Sequence, residues 1–294
     1  SSSNSNTLTL SDAGAWAGSG TFTEGTSTLT MTGTDKRWYM GSYNNQQLAN
    51  FTVNGTITLQ SIGYGYGAVY FTSASSTFTL GASGTLSSHD EESLYFANAN
   101  NTIDVSANTD GLANLFEIRF RHGSGNINLP EMTTKYVHLE TSGGTVTSTG
   151  NNTLTTKLQV DSGATFNANG NTIAAKLVDV NSGTLNLTNS TLNFSVSDAG
   201  DQLNLDTSTT LLTGNTTING HSSSAITDAI LPQAGGFEVV GDVSNLFIHA
   251  DGDLTVIGSV TNCDVSSSGA NIRQWHHTLD TQQLLDADEA GDDD

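Results

Sequence analysis

The sequence is poor in cysteine, proline and charged residues. It has 1 Cys and 2 Pro among 294 residues, and 13% of its residues are charged. The single cysteine, Cys263, excludes a disulfide scaffold and a zinc site built from cysteines. No apolar run approaches the roughly 20 residues that span a bilayer as a helix. Lys and Arg number 8 against 29 Asp and Glu. This excess of negative charge opposes nucleic-acid binding, which requires cations to replace phosphate counterions.

Apolar residues alternate with threonine in many short segments. In residues 7–10, 28–32, 56–59 and 77–80, Thr and an apolar residue take turns. A period of two is typical of strands that bury one side. Low charge and few large apolar residues also occur in disordered chains, but aromatic residues are scarce there. Because this chain has 11 Phe, 7 Tyr and 3 Trp, we expect a folded, all-β protein.

Strand-like segments recur at a nearly constant interval between residues 135 and 220. The Ser-Gly turns at Gly143, Gly163 and Gly183 follow one another at 20-residue steps. Such a period, with short strands and Gly or Asn turns, indicates a solenoid whose coils bury their apolar side chains against each other. A β-sandwich is the alternative, but it predicts longer strands and irregularly spaced hairpins. The sequence therefore predicts a parallel β-helix, or β-solenoid, with coils of about 20 residues.

Three segments resemble the repeats of a known class of proteins. They are Gly-Thr-Phe-Thr-Glu-Gly-Thr-Ser-Thr-Leu at 20–29, Asn-Phe-Thr-Val-Asn-Gly-Thr-Ile-Thr-Leu at 50–59 and Val-Asn-Ser-Gly-Thr-Leu-Asn-Leu at 180–187. These segments are similar to repeats of parallel β-helix surface proteins, found in autotransporter-type adhesins and in structural and tail proteins of phages. The resemblance covers about residues 20–260. It implies the solenoid architecture and brings no catalytic residue with it.

The chain divides into three parts by composition. Residues 1–70 are predicted to form an aromatic-rich N-terminal β region or cap, and residues 71–265 the solenoid. Residues 266–294 are predicted to form a C-terminal cap and a short acidic tail. Residues 286–294 include six acidic side chains, and a terminal acidic run is usually solvated. Capped ends are expected because a solenoid end otherwise exposes unpaired strand edges.

Aromatic residues near the two ends are the candidate binding residues. Trp38, Tyr39, Tyr64 and Tyr66 lie in the N-terminal part, and Trp275 lies at the junction with the acidic tail. Aromatic side chains can close the ends of the stack as part of its core. They can equally form contacts with another subunit or with a sugar, since they have a large apolar area.

One strand-like segment is the candidate for catalysis. In residues 117–122, alternation places Glu117, Arg119 and Arg121 on one side of a strand, opposite Ile118 and Phe120. Polysaccharide lyases and hydrolases with a parallel β-helix use acidic and basic side chains on such an outer side. A surface ladder of ion pairs is the structural alternative. A second acidic run, at 89–92, is predicted to be a solvated loop.

No metal or cofactor is expected. Asp251 and Asp253 flank a glycine and could contribute oxygen ligands to calcium, which takes six to eight of them. They do not match the spacing of an EF-hand loop. His276 has an adjacent histidine, and neighbouring residues of a strand point to opposite sides. Calcium at the two aspartates and a metal at His276 remain the alternatives.

Three classes of function fit these features. We expect a non-enzymatic structural component of a virion or an extracellular surface assembly, such as a phage tail, fibre or capsid-decorating protein. Its partners would be other structural subunits, with homo-oligomerisation, and its location the virion or the cell surface. The first alternative is an adhesin that binds surface glycans. The second is a polysaccharide lyase or hydrolase that acts on the flank of the helix.

Ice binding requires a flat, regular array of threonines. Pairs of the form Thr-x-Thr begin at residues 7, 21, 28, 56, 77 and 145. This irregular spacing argues against one continuous array, so ice binding is not expected from the sequence.

Overall fold

The computed structural model describes residues 28–41, 45–62 and 67–194, and ten short strands before and after these ranges. None of the described residues is helical, and the strand pairs are parallel. The chain is thus an all-β, parallel β-solenoid of about seven turns with a spacing of roughly 21 residues. This confirms the predicted fold class.

The strands are short, and each takes up part of one coil. Before residue 63 they are β1 (Thr7–Leu10), β2 (Trp16–Gly18), β3 (Thr28–Met31), β4 (Lys36–Gly41), β5 (Asn45–Gln47), β6 (Asn50–Val53) and β7 (Thr56–Ile62). Between residues 67 and 194 they are β8 (Ala68–Phe71), β9 (Thr77–Leu80), β10 (Thr85–Ser88), β11 (Ser93–Phe96), β12 (Thr102–Asp104), β13 (Glu117–Phe120), β14 (Gly125–Leu129), β15 (Met132–Leu139), β16 (Gly144–Ser148), β17 (Asn152–Val160), β18 (Thr165–Asn167), β19 (Thr172–Val180), β20 (Thr184–Asn186) and β21 (Thr191–Phe194). After residue 194 they are β22 (Leu203–Asn204), β23 (Thr209–Leu211), β24 (Thr217–Asn219), β25 (Phe237–Val240), β26 (Val243–Ile248), β27 (Gly252–Ile257), β28 (Val260–Val265) and β29 (Ala270–Gln274).

Each coil passes through three sides in the same order. The coil β8–β9–β10 shows them: β8 belongs to the first side, with β5, β11, β13, β15, β17 and β19. On the second side, β9 lies in the sheet β1-β3-β6-β9-β12, and later coils form the sheet β14-β16-β18-β20-β23. On the third side, β10 pairs with β7, and β7 with β4. Leu112 bridges to Thr134, so the third side continues into the first half of β15.

The length of a coil varies while the stacking of its strands does not. On the first side, the inward residues pair at separations of 25, 24, 19, 21 and 20 residues along the column Val69, Leu94, Ile118, Val137, Leu158 and Val178. The 20-residue period of the sequence therefore holds in the later coils. Earlier coils are longer because their corners contain additional residues, as between β12 and β13.

The core is a continuous apolar column in which large side chains stack from coil to coil. The rings of Phe71 and Phe96 are 4.7 Å apart and nearly parallel, and Phe120 follows 5.7 Å from Phe96. All three side chains are fully buried. Burying a phenylalanine contributes about 1.5–3 kcal/mol, so each coil is stabilised largely by its two neighbours.

Trp38 belongs to this core. Its side chain is 1% exposed, and its ring meets that of Phe51 edge-on at 5.4 Å. A ring so buried offers no surface to a partner, which favours the core role that the sequence left open over binding. Tyr39, the next residue, is half-buried on the outside of β4.

Close approach between corners explains one of the glycines. A Cβ atom on Gly55 would lie 2.0 Å from the carbonyl oxygen of Gly33 in the preceding coil. The same corner is fixed by the amide of Thr56, which donates to Gly33 at 2.9 Å. At the predicted Ser-Gly turns, Gly143 and Gly163 have positive φ angles of 116° and 81°, which glycine adopts without strain.

The three predicted parts of the chain stay a prediction. Parallel pairing runs across residue 70, since β6 pairs with β9 and β8 with β11. Residues 275–294, which include the predicted acidic tail, lie outside the described residues.

Candidate functional site

The side chains with the richest polar chemistry project outward from the first side. In β13, Ile118 and Phe120 are fully buried, whereas Glu117 and Arg119 point away from the core. The alternation expected from the sequence is therefore present. Outward residues of β15 and β17 stand beside these, because Arg119 pairs with His138 and His138 with Gln159. We call Glu117, Arg119, Arg121, His138, Glu140 and Asp161 the charged cluster.

Glu117 is the centre of the charged cluster. Although it projects outward, its neighbours cover it and it is 1% exposed. Its carboxylate accepts hydrogen bonds from Ser93 Oγ at 3.0 Å and Arg119 Nε at 3.0 Å, and it lies 3.1 Å from His138 Nδ1. Burial by itself would raise the pKa of Glu117, but the hydrogen bonds to His138 and Arg119 outweigh it and hold that pKa below its ordinary value. Glu117 is therefore an anion in the folded protein.

His138 links two carboxylates on neighbouring coils. Its Nδ1 faces Glu117 Oε1, and its Nε2 lies 2.8 Å from Asp161 Oδ2. Both hydrogen bonds form only when both ring nitrogens carry a hydrogen, so the geometry suits the imidazolium cation. The ring of Tyr136 stacks on the imidazole at 5.5 Å. His138 is thus fixed in position from several directions.

The arginines form the outer rim of the charged cluster. Glu140 receives Arg119 Nη1 at 3.2 Å on one carboxylate oxygen and Arg121 Nη2 at 3.0 Å on the other. Both guanidinium groups also lie over the ring of Tyr95, at 5.0 and 5.8 Å from its centroid. Tyr95 stacks on Tyr70 at 4.4 Å. Burial raises the pKa of the Tyr95 hydroxyl, which keeps it protonated at neutral pH.

The row of polar contacts continues through β17 into one further coil, that of β19. Gln159 donates to Asp161 Oδ1 at 2.8 Å and accepts a hydrogen bond from Lys157 Nζ at 2.7 Å. Lys157 also forms an ion pair with Asp179 at 2.7 Å, and its ammonium group lies 5.7 Å from the centre of the Tyr136 ring. Each carboxylate of this row therefore has a cationic or hydrogen-bonding partner from a neighbouring strand.

These contacts limit what the charged cluster can do chemically. Glycoside hydrolysis needs one carboxyl group with a raised pKa that donates a proton. The pKa of Glu117 moves the other way, and all its hydrogen-bond donors are protein groups. The arrangement is that of an ion-pair network, the alternative interpretation of Glu117, Arg119 and Arg121. Catalysis by these three residues stays a prediction.

The sequence did not single out His138, Glu140 or Asp161, although a signal for them was present. The outward residues of 136–140 and 157–161 occupy the same strand positions as those of 117–121, one and two coils later. Alignment of the coils would have brought the three segments together. The cluster belongs to neighbouring coils rather than to one sequence motif.

The acidic run at 89–92 is not wholly solvated. His89, Asp90 and Glu91 are exposed, but Glu92 is fully buried. Its carboxylate accepts the backbone amides of Ser61 at 2.7 Å and Asp90 at 2.9 Å. The expectation of a solvated loop is wrong for Glu92, because a carboxylate can be buried when backbone amides satisfy it.

The other candidate residues are not brought together by the described structure. Tyr64, Tyr66, Trp275, Asp251 and His276 lie outside the described residues, and of Asp253 only its place in β27 is described. In the part of the chain with described side chains, no three His, Cys, Asp or Glu residues form a group suited to a metal ion. The calcium and histidine alternatives stay predictions.

Comparison with known proteins classifies this chain no further than its fold. Within the described residues, no helix has the length and apolar character needed to cross a membrane. Searches against protein-family models, curated proteins and solved structures find no match to this chain. The resemblance to phage and adhesin repeats is therefore supported only as far as the parallel β-solenoid.

Proposed function

We propose that this chain is a non-enzymatic structural part of an extracellular or virion surface assembly. The observation that carries the proposal is the charged cluster, in which ionisable side chains bind one another across coils. Glu117 is satisfied by Ser93, Arg119 and His138, and Glu140 by two arginines. Groups engaged in this way add cross-coil contacts to the outside of the stack, and they are not poised for a substrate.

The same arrangement favours a rigid rod. The stacked phenylalanines hold the coils together from inside, and the charged cluster links three successive strands from outside. In a stacked repeat each coil contacts only its neighbours, so stability is gained locally along the whole length. A net charge of −21 also counteracts the association of repetitive strands in solution. A spacer or fibre segment needs these properties.

Glycan binding and polysaccharide cleavage on the first side have less support. Sugar stacking needs an aromatic ring with a free face, but Tyr95 lies between Tyr70 of one neighbouring coil and Arg119 of the other. Cleavage needs a proton donor, and Glu117 is held as an anion. Both observations fit a structural use of the outward residues.

The test is the mass of the native particle in solution, measured by light scattering on the full chain. A structural subunit is expected to assemble with copies of itself, giving a defined multiple of 30.6 kDa. A particle of one chain over a wide concentration range would contradict the proposal. So would release of oligosaccharides from a polysaccharide panel, if Glu117→Gln abolished it while Asp104→Asn, on the second side, did not.

A further inference from the structure

The second side of the solenoid presents two columns of short polar side chains in each of its two sheets. Eight strands with described side chains contribute two outward residues each, and we call these sixteen residues the threonine face. The first column is Thr28, Asn50, Thr77, Thr102, Asn126, Thr145, Thr165 and Thr184, and the second is Thr30, Thr52, Thr79, Asp104, Asn128, Thr147, Asn167 and Asn186. Ten of the sixteen residues are threonine, five are asparagine and one is aspartate.

The irregular spacing of Thr-x-Thr pairs in the sequence does not prevent a regular array. The pairs at 28 and 77 align through 50–52, since Thr30 pairs with Thr52 and Thr52 with Thr79. The separations of 22 and 27 residues between these partners are unequal because the corners between the strands differ in length. Several outward pairs also do not have the form Thr-x-Thr, because asparagine replaces one of the two threonines. Within each sheet, unequal spacing in the sequence is therefore compatible with a regular array.

The two sheets of this side lie next to each other along the solenoid. Phe96 of β11 pairs with Phe120 of β13. Thr102 and Asn126 each follow these phenylalanines by six residues, and both begin the outward pair of the next strand. β12 and β14 are in contact. These two strands are not paired, so the threonine face consists of two neighbouring arrays of four strands each.

The pairing on this side is regular within each of the two sheets that carry the threonine face. Each of its six strand pairs keeps one register without interruption. On the first and third sides, by contrast, the register shifts within the pairs β15–β17 and β17–β19. Spacing along the array is then set by the backbone, at about 4.8 Å between strands and about 6.6 Å between outward residues of one strand.

Many hydroxyl groups of the threonine face are free to bind an external partner. Within the described part of the chain, the hydroxyls of Thr30, Thr52, Thr79, Thr165 and Thr184 have no hydrogen-bond partner in the protein, although these residues are partly exposed. Asn126, Asn128 and Thr147 hydrogen-bond one another, as the groups of the charged cluster do, but these five hydroxyls do not. The β-branched side chain of threonine is also stiff at χ1, so the hydroxyls are held in place before binding.

We infer that the threonine face binds the surface of ice. A crystal of water offers hydrogen-bonding groups in a fixed two-dimensional lattice, which suits a rigid array of hydroxyl groups. Each contact is weak, but a rigid array makes many of them together without a further ordering cost. The methyl groups of threonine add apolar area between the hydroxyls. Asp104 is the only charged residue among the sixteen.

Crystalline polysaccharide is the other regular surface that offers hydroxyl groups. Proteins bind sugars through aromatic rings as well as polar groups, and the threonine face has no aromatic residue. The composition therefore favours ice. Binding of cellulose or chitin instead of ice would overturn the inference.

The test compares variants with a bulky side chain in the middle of the array and away from it. Thr52→Tyr and Thr79→Tyr place a ring inside the second column, where it would hold a flat crystal surface away from its neighbours. Thr153→Tyr is the matched control, since Thr153 is exposed on β17 outside the threonine face. All three substitutions keep β propensity, and circular dichroism and urea unfolding would verify that the variants fold.

The measurements are thermal hysteresis, and the partition of the labelled full chain into a growing ice hemisphere. The wild-type chain and Thr153→Tyr are expected to enter ice and to lower its growth temperature, and the two central variants are expected to lose most of both effects. The inference is overturned if the wild-type chain is excluded from ice. It is also overturned if folded Thr52→Tyr and Thr79→Tyr bind ice as well as the control does.

Discussion

Replacement of Glu117 by glutamine would remove the negative charge at the centre of the charged cluster and keep its shape. The carboxylate accepts hydrogen bonds from Ser93 and Arg119 and contacts His138, and it is 1% exposed. A glutamine has one oxygen for these donors and brings an amide group that donates. We therefore expect the variant to fold with a weakened contact between β11, β13 and β15.

The expected loss of stability depends on which partners Arg119 and His138 keep in the variant. Removing one partner of a buried ion pair costs about 3–5 kcal/mol when the other charge is left alone. Here Arg119 retains Glu140, and His138 retains Asp161. The loss is therefore placed below that range, at about 2–3 kcal/mol.

Native-state hydrogen exchange is the suitable assay because stability is local in a stacked repeat. The opening free energy of β13 would be compared between wild type, Glu117→Gln and Glu140→Gln. Glu140 is one-third exposed, so its variant should lose no more than about 1 kcal/mol.

The difference in the opening free energy of β13 between wild type and Glu117→Gln should also depend on pH. Because the folded-state pKa of Glu117 is lowered, its contribution is complete above the unfolded value of about 4.3. It disappears as the pH falls through the folded value. A loss below 0.5 kcal/mol at neutral pH, on the order of a surface change, would refute the buried ion-pair interpretation. So would a difference that persists unchanged in acid.

Three further predictions concern the core, a corner and a buried histidine. Phe96→Ala removes the middle ring of a stack with Phe71 and Phe120, and it should cost about 3–5 kcal/mol, measured as lost exchange protection in β8, β11 and β13. Gly55→Ala should destabilise the chain in urea more than an alanine at the open position Gly123, because its Cβ would meet a backbone oxygen at 2.0 Å. Burial lowers the pKa of His122, so its stabilising contribution is complete above its unfolded pKa of about 6.5 and declines below it. As the pH falls from about 6.5 toward the lowered folded-state pKa, the wild type should lose up to about 1.4 kcal/mol per pH unit from this site, and His122→Gln should lack that part of the slope in urea titrations.

The sequence was sufficient to predict the local structure and the fold class. Alternation in segments such as 77–80 predicted strands with one buried side, and β9 has Phe78 and Leu80 inside and two threonines outside. The steps between Gly143, Gly163 and Gly183 predicted coils of about 20 residues, which the later coils have. These features depend on neighbours along the chain or on a constant interval.

The arrangement of the outward residues could not be read from the sequence in the same way. Which residues meet on the outside depends on the length of every corner, and those lengths vary from coil to coil. His138 meets Glu117 and Asp161 only because 21 and 23 residues separate them in the stacked coils. The same variation concealed the alignment of Thr30, Thr52 and Thr79. Knowledge of the stacking register is required before either site becomes visible.

Successive coils stack in one parallel register, and this stacking creates both the charged cluster and the threonine face. Disulfide formation between engineered cysteines tests it directly, in a Cys263→Ser background. Thr52 pairs with Thr79, and Thr77 lies in the neighbouring column as the control.

Paired residues are about 4.8 Å apart and diagonal ones about 8 Å, whereas a disulfide requires Cα atoms about 4.4–6.8 Å apart. Mild oxidation of Thr52→Cys/Thr79→Cys is expected to give the disulfide, identified by peptide mass, and Thr52→Cys/Thr77→Cys is expected to stay reduced. A disulfide in the second pair but not in the first would contradict the register, and with it the charged cluster and the threonine face.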